Sequence, residues 1–182
     1  MMRVISGTAR GRKLKDLAGV DIRPTSGMVK ESVFNIIQFD IEGRRVLDLF
    51  AGTGQLGIEA LSRGARSVVF VDSSPEAVKL IKENVKLCGF SDSATTIRRD
   101  ATQYLENCEA FDLVFIDPPY DTALMDKVLE KIIRFDKLNT NGIIISETRA
   151  DKMTPIVSPP YFMQKEYIYG SVKIARFARI ES

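Results

Sequence analysis

The chain has 182 residues, 45% of them hydrophobic and 27% charged, with a formal net charge of +2; that length supports one well-buried core and falls short of two ordinary domains. Histidine is absent, and the two cysteines, Cys88 and Cys108, lack metal-ligand spacing. This excludes Ser-His-Asp and Cys-His catalysis and His-ligated zinc, leaving carboxylates, backbone groups, Lys, Arg, Ser, Thr, Tyr or a cofactor to carry any chemistry.

No apolar run approaches the roughly 20 residues of a membrane span, and the longest, 142–145, is strand-sized. The opening residues lack the apolar stretch of a secretory signal. The expectation is a cytosolic protein with reduced thiols, no metal and no membrane contact, and a monomer. The charge is uneven. Residues 1–30 carry seven basic side chains (Arg3, Arg10, Arg12, Lys13, Lys15, Arg23, Lys30) against Asp16 and Asp21, a balance of +5, so the remaining 152 residues carry −3. A basic arm on a near-neutral body fits a phosphate-backbone partner, although a solvated basic surface has the same charge.

In chain order, 4–6 and 13–14, with glycines at 7 and 11 between them, predict a small basic hairpin, and 26–37 a helix. The run 45–50 predicts a strand ending at a glycine-rich loop, then a helix over 55–63 and a strand over 67–71 ending at Asp72. A helix follows over 75–87, with Pro75 in its first turn, Gly89 past its end and apolar residues every three or four positions. Strands at 94–98, 112–116 and 142–147 alternate with helices at 102–106 and 122–134, and Asn141-Gly142 turns into the last strand. Near-continuous apolar strands alternating with helices imply a parallel sheet covered on both faces. The runs 162–169 and 172–178, separated by Gly170-Ser171, read as an antiparallel hairpin closing the sheet edge. The reading is one α/β domain over 1–182, with 1–44 an extension on a core of 45–182.

Glycines at 52, 54 and 57, directly after a strand and before a helix, satisfy G-x-G-x-x-G. The loop Phe50-Ala51-Gly52-Thr53-Gly54 would let a cofactor approach the backbone, and Asp72, with Ser73 beside it, would accept hydrogen bonds from ribose hydroxyls. Alone, this fingerprint fits NAD and S-adenosylmethionine equally. Two features favour the second. Asp48 precedes the loop, where a carboxylate suits the cationic methionine end and would repel a pyrophosphate. The other is Asp117-Pro118-Pro119-Tyr120, which closes the fourth strand of the core. The lone pair of an exocyclic base amine is delocalised into the ring. Hydrogen bonds from the NH₂ to Asp117 and to the Pro118 carbonyl would localise it, with both prolines fixing the backbone and Tyr120 stacking on the base.

D-x-F-A-G-T-G followed by D-P-P-Y resembles the class I methyltransferases that act on amino groups. Arg3-Val4-Ile5-Ser6-Gly7, Gly11-Arg12-Lys13-Leu14, Arg23-Pro24-Thr25, the run 29–35, the run 61–65 and Tyr169-Gly170-Ser171 resemble the RsmD-type 16S rRNA guanine-N2 methyltransferases, over essentially the whole chain. The resemblance implies a Rossmann-like, mostly parallel seven-stranded sheet with a C-terminal antiparallel hairpin and a small basic N-terminal extension. It implies S-adenosylmethionine as cofactor and, as partner, 16S rRNA or an assembling small-subunit particle. By motif match Asp48, Gly52, Gly54 and Asp72 would hold the cofactor, with Asp100 and Ala101 near its adenine, and Asp117 to Tyr120 would hold the guanine. Arg3, Arg10, Arg12, Lys13, Arg23, Lys30 and Asn35 would meet RNA. The chain departs from the family at Gly27-Met28, where an Asp-Arg pair is usual, and at Ala9, often a large aromatic; both departures are expected to fall on the RNA-facing side. Other readings are an amino-methyltransferase for adenine N6 in DNA or RNA or for a protein glutamine, an NAD-linked oxidoreductase, and a non-catalytic RNA-binding assembly factor.

Overall fold

The computed structural model describes residues 2–16, 27–119 and 122–180. Its centre is a seven-stranded sheet in the order β3-β2-β1-β4-β5-β7-β6. The strands are β1 (Arg45–Leu49), β2 (Ser67–Asp72), β3 (Ala94–Arg98), β4 (Phe111–Ile116), β5 (Leu138–Arg149), β6 (Tyr161–Tyr169) and β7 (Val172–Arg179). The first five run parallel, β7 lies antiparallel between β5 and β6, and the predicted hairpin thus closes one edge. The helices are α1 (Gly27–Ile36), α2 (Gln55–Ser62), α3 (Pro75–Cys88), α4 (Ala101–Asn107) and α5 (Thr122–Arg134).

Strand alternation sorts the core into two layers. Val46, Phe70, Leu113, Phe115, Ile143 and Ile145 face one side, with Phe34, Ile58 and Ile81 from α1, α2 and α3. Leu47, Leu49, Val71, Val114, Ile116 and Ile144 face the other, with Leu105 and Leu129 from α4 and α5. Because both faces are covered, the central strands are apolar throughout, which is why they read as continuous runs. Helix ends follow their sequence signals. Ser74 caps α3 by accepting from Ala77 N–H, Pro75 fills its first turn, and Gly89 ends it at φ 79°.

One strand is longer than its predicted 142–147. β5 begins at Leu138, which pairs with Phe111, whereas Ile143 pairs with Leu113. Five residues of β5 therefore span two of β4, and the three extra are absorbed in a bulge. Asn141-Gly142, expected as a turn before the strand, lies inside this bulge with Asn141 at φ 60°. A Cβ on Gly142 would sit 2.7 Å from Asn139 O and from Leu138 Cγ, so the bulge closes only over glycine.

The N-terminal residues pair as expected, Arg3 antiparallel to Lys13. This hairpin is packed on the core. Val4, Ala9 and Leu14 are buried in the layer that holds Phe34 and Ile58. At Gly7 (φ 80°) an added Cβ would fall 1.7 Å from the Ser62 carbonyl oxygen at the end of α2. Ala9 is thus not on an RNA-facing surface; it is buried, and its N–H donates to Ser62 Oγ at 2.9 Å. In this chain a large aromatic there would overfill the core layer in which Ala9 is buried. Among the described residues no helix is long and apolar enough to cross a membrane.

Candidate functional site

The strand order places β1 and β4 side by side while their following helices pack on opposite faces, so the crevice opens at their carboxyl ends, where open α/β sheets bind ligands. The loops that leave these two strands are the glycine loop and the D-P-P-Y segment. The two strongest sequence motifs, more than sixty residues apart, are thereby neighbours.

The glycine loop is held by carboxylates from two strands. Asp48, 2% exposed on β1, accepts the Gly57 N–H at 2.9 Å. Asp72, half-buried at the end of β2, accepts from Gly52 N–H and Ser74 N–H, each at 2.9 Å. Phe50, Gly52 and Gly54 all have positive φ, at 60°, 56° and 77°. For Phe50 that conformation costs of the order of 1 kcal/mol, and it marks where the chain turns away from the strand. Gly57 has a different task. A Cβ there would lie 2.3 Å from the Phe70 ring, so it is the glycine that lets α2 close onto β2. Gly54 caps α2 without a side-chain acceptor, so the electropositive helix end faces the same edge as Asp48.

Burial is the first cause that pushes the Asp48 carboxyl well above the usual carboxylate range; the Gly57 hydrogen bond opposes it, and the charges of Asp117 and Asp72 add to it. That influence of Asp117 places the D-P-P-Y carboxylate within electrostatic reach of the glycine loop. Asp117 and Pro118 are half-buried and Pro119 is exposed; Tyr120 lies outside the described residues. Ser73 is exposed beside Asp72. Asp100 is exposed and caps α4, Oδ1 accepting from Thr102 N–H (2.9 Å), Thr102 Oγ1–H (2.6 Å) and Gln103 N–H (3.1 Å). The Thr102 hydroxyl is the main cause holding its carboxyl below the usual range, and Ala101 behind it is buried.

Arg3, Arg10, Arg12 and Lys13 are exposed on the hairpin, and Asn35 is exposed on α1; Arg23 lies outside the described residues. Lys30 does not join them. It is 2% exposed, its Nζ donates to Arg3 O at 2.7 Å and lies 3.5 Å from the Glu59 carboxylate. It is an internal anchor of the hairpin and no phosphate can reach it. Burial also lowers its pKa, the Glu59 carboxylate pulling the other way.

Two further side chains carry the junction and left no signal in the sequence. Glu59, fully buried in α2, accepts Ile5 N–H, Ser6 N–H and Arg63 Nε–H. Asn84, fully buried in α3, accepts Lys15 N–H and donates to both Lys15 O and Thr53 O, at 3.1 and 3.0 Å. Thr53 Oγ1 in turn donates to Met2 Sδ at 3.3 Å. The basic hairpin is therefore hydrogen-bonded to the middle of the glycine loop. Period alone cannot distinguish such polar residues from surface positions on the same helices.

The model of the family described as conserved hypothetical protein 95 matches residues 2–178. YlbH of Bacillus subtilis is 38% identical, over 98% of this chain and 99% of its own. The ribosomal RNA small subunit methyltransferase D of Haemophilus influenzae is 36% identical, over 94% of this chain and 90% of its own. The solved structure of yhhF from Escherichia coli superposes with a TM-score of 0.89 at 26% identity, covering 100% of this chain and 99% of that one. The chain belongs to the conserved hypothetical protein 95 family, that of the RsmD-type methyltransferases its motifs resemble.

Proposed function

We propose that this protein transfers a methyl group from S-adenosylmethionine to the exocyclic N2 amine of a guanine in 16S rRNA. The observation that carries the reading is the meeting, at the β1/β4 crevice, of the glycine loop, its two flanking carboxylates and the D-P-P-Y segment. A buried carboxylate at the loop suits a cationic ligand and disfavours a diphosphate, which sets S-adenosylmethionine above a dinucleotide.

Bound there, the cofactor supplies a methyl group already attached to a good leaving group, so no covalent enzyme intermediate is needed. Asp48, which accepts the Gly57 N–H in the first turn of α2, would address the amino-acid end, and Asp72 the ribose. Asp117 and the Pro118 carbonyl accept the two hydrogens of the amine. This would localise the lone pair on the amine nitrogen, and Asp117 would take the proton that the amine loses on methylation. Positioning and aligned acceptors supply most of the acceleration. The exposed Arg3, Arg10, Arg12 and Lys13 neutralise phosphates, an interaction that gives affinity steeply dependent on salt and little sequence information.

The test uses purified protein, methyl-labelled S-adenosylmethionine and small-subunit particles from cells that lack the enzyme. Label in N2-methylguanosine of 16S rRNA is the expected result. Label in N6-methyladenosine or in protein would sink the guanine reading, and no label with intact cofactor binding would sink the rRNA one.

The raised pKa of Asp48 gives a further expected result. Its folded value lies above the unfolded one, so its contribution to stability is fully present below the unfolded value. That contribution is lost as pH rises through the folded value. A cationic ligand drives the proton off, so cofactor affinity rises with pH across that window and then levels. Asp48→Asn keeps an acceptor for Gly57, flattens this dependence and weakens binding at neutral pH by ~1.5–3 kcal/mol, the range for hydrogen bonds to charged groups. Calorimetric titrations in buffers of different ionisation enthalpy read the proton release directly; a variant with wild-type affinity and slope would refute the role.

A further inference from the structure

We propose that Glu147, on β5 beside the D-P-P-Y segment, accepts the ring N1–H of the target base and thereby sets guanine against adenine. The inference rests on the guanine reading above and assigns a specificity residue within that same site.

The register brings Glu147 there. Ile116, the last residue of β4, pairs with Ser146, so the chain leaves β4 at Asp117 directly beside Glu147. Neighbouring strands lie about 4.8 Å apart. The pleat then fixes the face. Glu147 stands opposite Ile174 of β7, and Ile174 belongs to the core layer of Phe115 and Ile145. Asp48 pairs with Phe115 and so shares that face. Asp117 follows Ile116, which faces the other layer, and its charge acts on Asp48. β5 continues to Arg149, so the alternation holds through Glu147. Side by side at the carboxyl edge, Asp117 and Glu147 therefore project toward the same side of the sheet as Asp48. Glu147 is half-buried, with its Oε2 shut off from solvent.

The chemistry of the base asks for such a pair. On its Watson–Crick edge guanine presents two adjacent donors, N1–H and the N2 amine. With Asp117 and the Pro118 carbonyl on the amine, one more acceptor is needed a ring atom away. A carboxylate one strand along meets N1–H. Adenine presents a lone pair at its N1, so the same carboxylate would face an acceptor and be left without its hydrogen bond. A site built around a substrate N–H rejects an analogue lacking it far more strongly than a pocket rejects a change of size.

2,6-Diaminopurine separates the two contributions, because it keeps the 2-amino group and replaces N1–H by an acceptor. The experiment places it in small-subunit rRNA, by splint ligation, at the position the wild-type protein labels, and compares kcat/KM with the guanine particle. Wild type prefers guanine by about 10²-fold or more, the cost of leaving a buried charged acceptor without its hydrogen bond. In Glu147→Gln the side chain can accept from N1–H or donate to N1, and the preference collapses to within about tenfold, with cofactor affinity unchanged. Equal loss of rate on both substrates, with the preference intact, would overturn the assignment and leave Glu147 a structural residue. Failure of the guanine reading shows separately, as wild-type label on some group other than guanine N2.

Discussion

Asp117→Ala lowers the rate of methyl transfer by about 10²–10³-fold, the usual effect of removing one pre-organised group at a reacting centre. S-adenosylmethionine binding stays within a few-fold of wild type. The expectation follows from where the residue stands. Asp117 is the first residue beyond β4, half-buried, and followed by prolines that remove backbone freedom at the next two positions. Its carboxylate is delivered to one place by the strand and cannot be replaced by water held equally well. The two carboxylates that accept from the loop and the helix after it are Asp72, from Gly52 N–H, and Asp48, from Gly57 N–H. Asp117→Asn retains an acceptor oxygen and so keeps more activity than the alanine variant, while losing the group that takes the proton. Because the Asp117 charge helps raise the Asp48 pKa, both substitutions also move the pH midpoint of cofactor binding downward. Single-turnover rates and calorimetric affinities separate the effects. An unchanged single-turnover rate in Asp117→Ala would remove the residue from the chemistry, and a parallel collapse of cofactor affinity would reassign it to the cofactor.

The catalytic half of the molecule was largely legible in the sequence because its signals are local. Apolar runs of strand length, a glycine triplet after a strand, Pro75 and Gly89 at helix ends, and acidic residues at strand ends each reflect one element and its immediate neighbours. The junction between hairpin and core was not. Lys30 lies in a basic stretch and reads as part of a charged arm; only the fold shows that α1 turns it inward, onto Glu59. Ala9 reads as a departure on an exposed arm until Ser62 is seen against it. Asn84 and Glu59 sit on helices whose period predicts which face is apolar, and a polar residue buried by a third element breaks that rule without a trace. The bulge in β5 is hidden in the sequence for a related reason. Asn141-Gly142 is a turn signal wherever it occurs, and whether it starts a strand or interrupts one depends on the neighbouring strand's register.

Glu59→Gln is expected to cost about 3–5 kcal/mol of stability, the range for breaking a buried ion pair by removing one partner. At roughly 2–4 °C per kcal/mol for a chain of this size, Tm falls by about 6–20 °C. The glutamine keeps one acceptor oxygen, which can still serve Ile5 N–H or Ser6 N–H, but it presents an amide where the second oxygen stood. Lys30, 2% exposed, is left with the Arg3 carbonyl and no negative partner. Arg63 loses the carboxylate that holds it over the Phe34 ring, 4.8 Å from the centroid, and Phe34 packs in turn on Phe115 of β4 at 5.8 Å. The damage is therefore expected to start at the hairpin and α1. Hydrogen exchange should accelerate at Ile5 and Ser6 before it does in β1 and β4. Adding Lys30→Met to Glu59→Gln removes the stranded charge and should restore a large part of the loss, since an apolar replacement of a buried pair is often neutral. Denaturant melts of the two single variants and the double one measure this coupling. If Lys30→Met brings no recovery, the ion pair is not what binds the hairpin to α2. If it does, the arm that carries Arg3, Arg10, Arg12 and Lys13 is held against α2 by the Glu59–Lys30 pair, beside the Asn84 bridge from Lys15 to the glycine loop. RNA affinity in Glu59→Gln should then fall together with the stability of the hairpin, although Glu59 itself is sealed from any RNA.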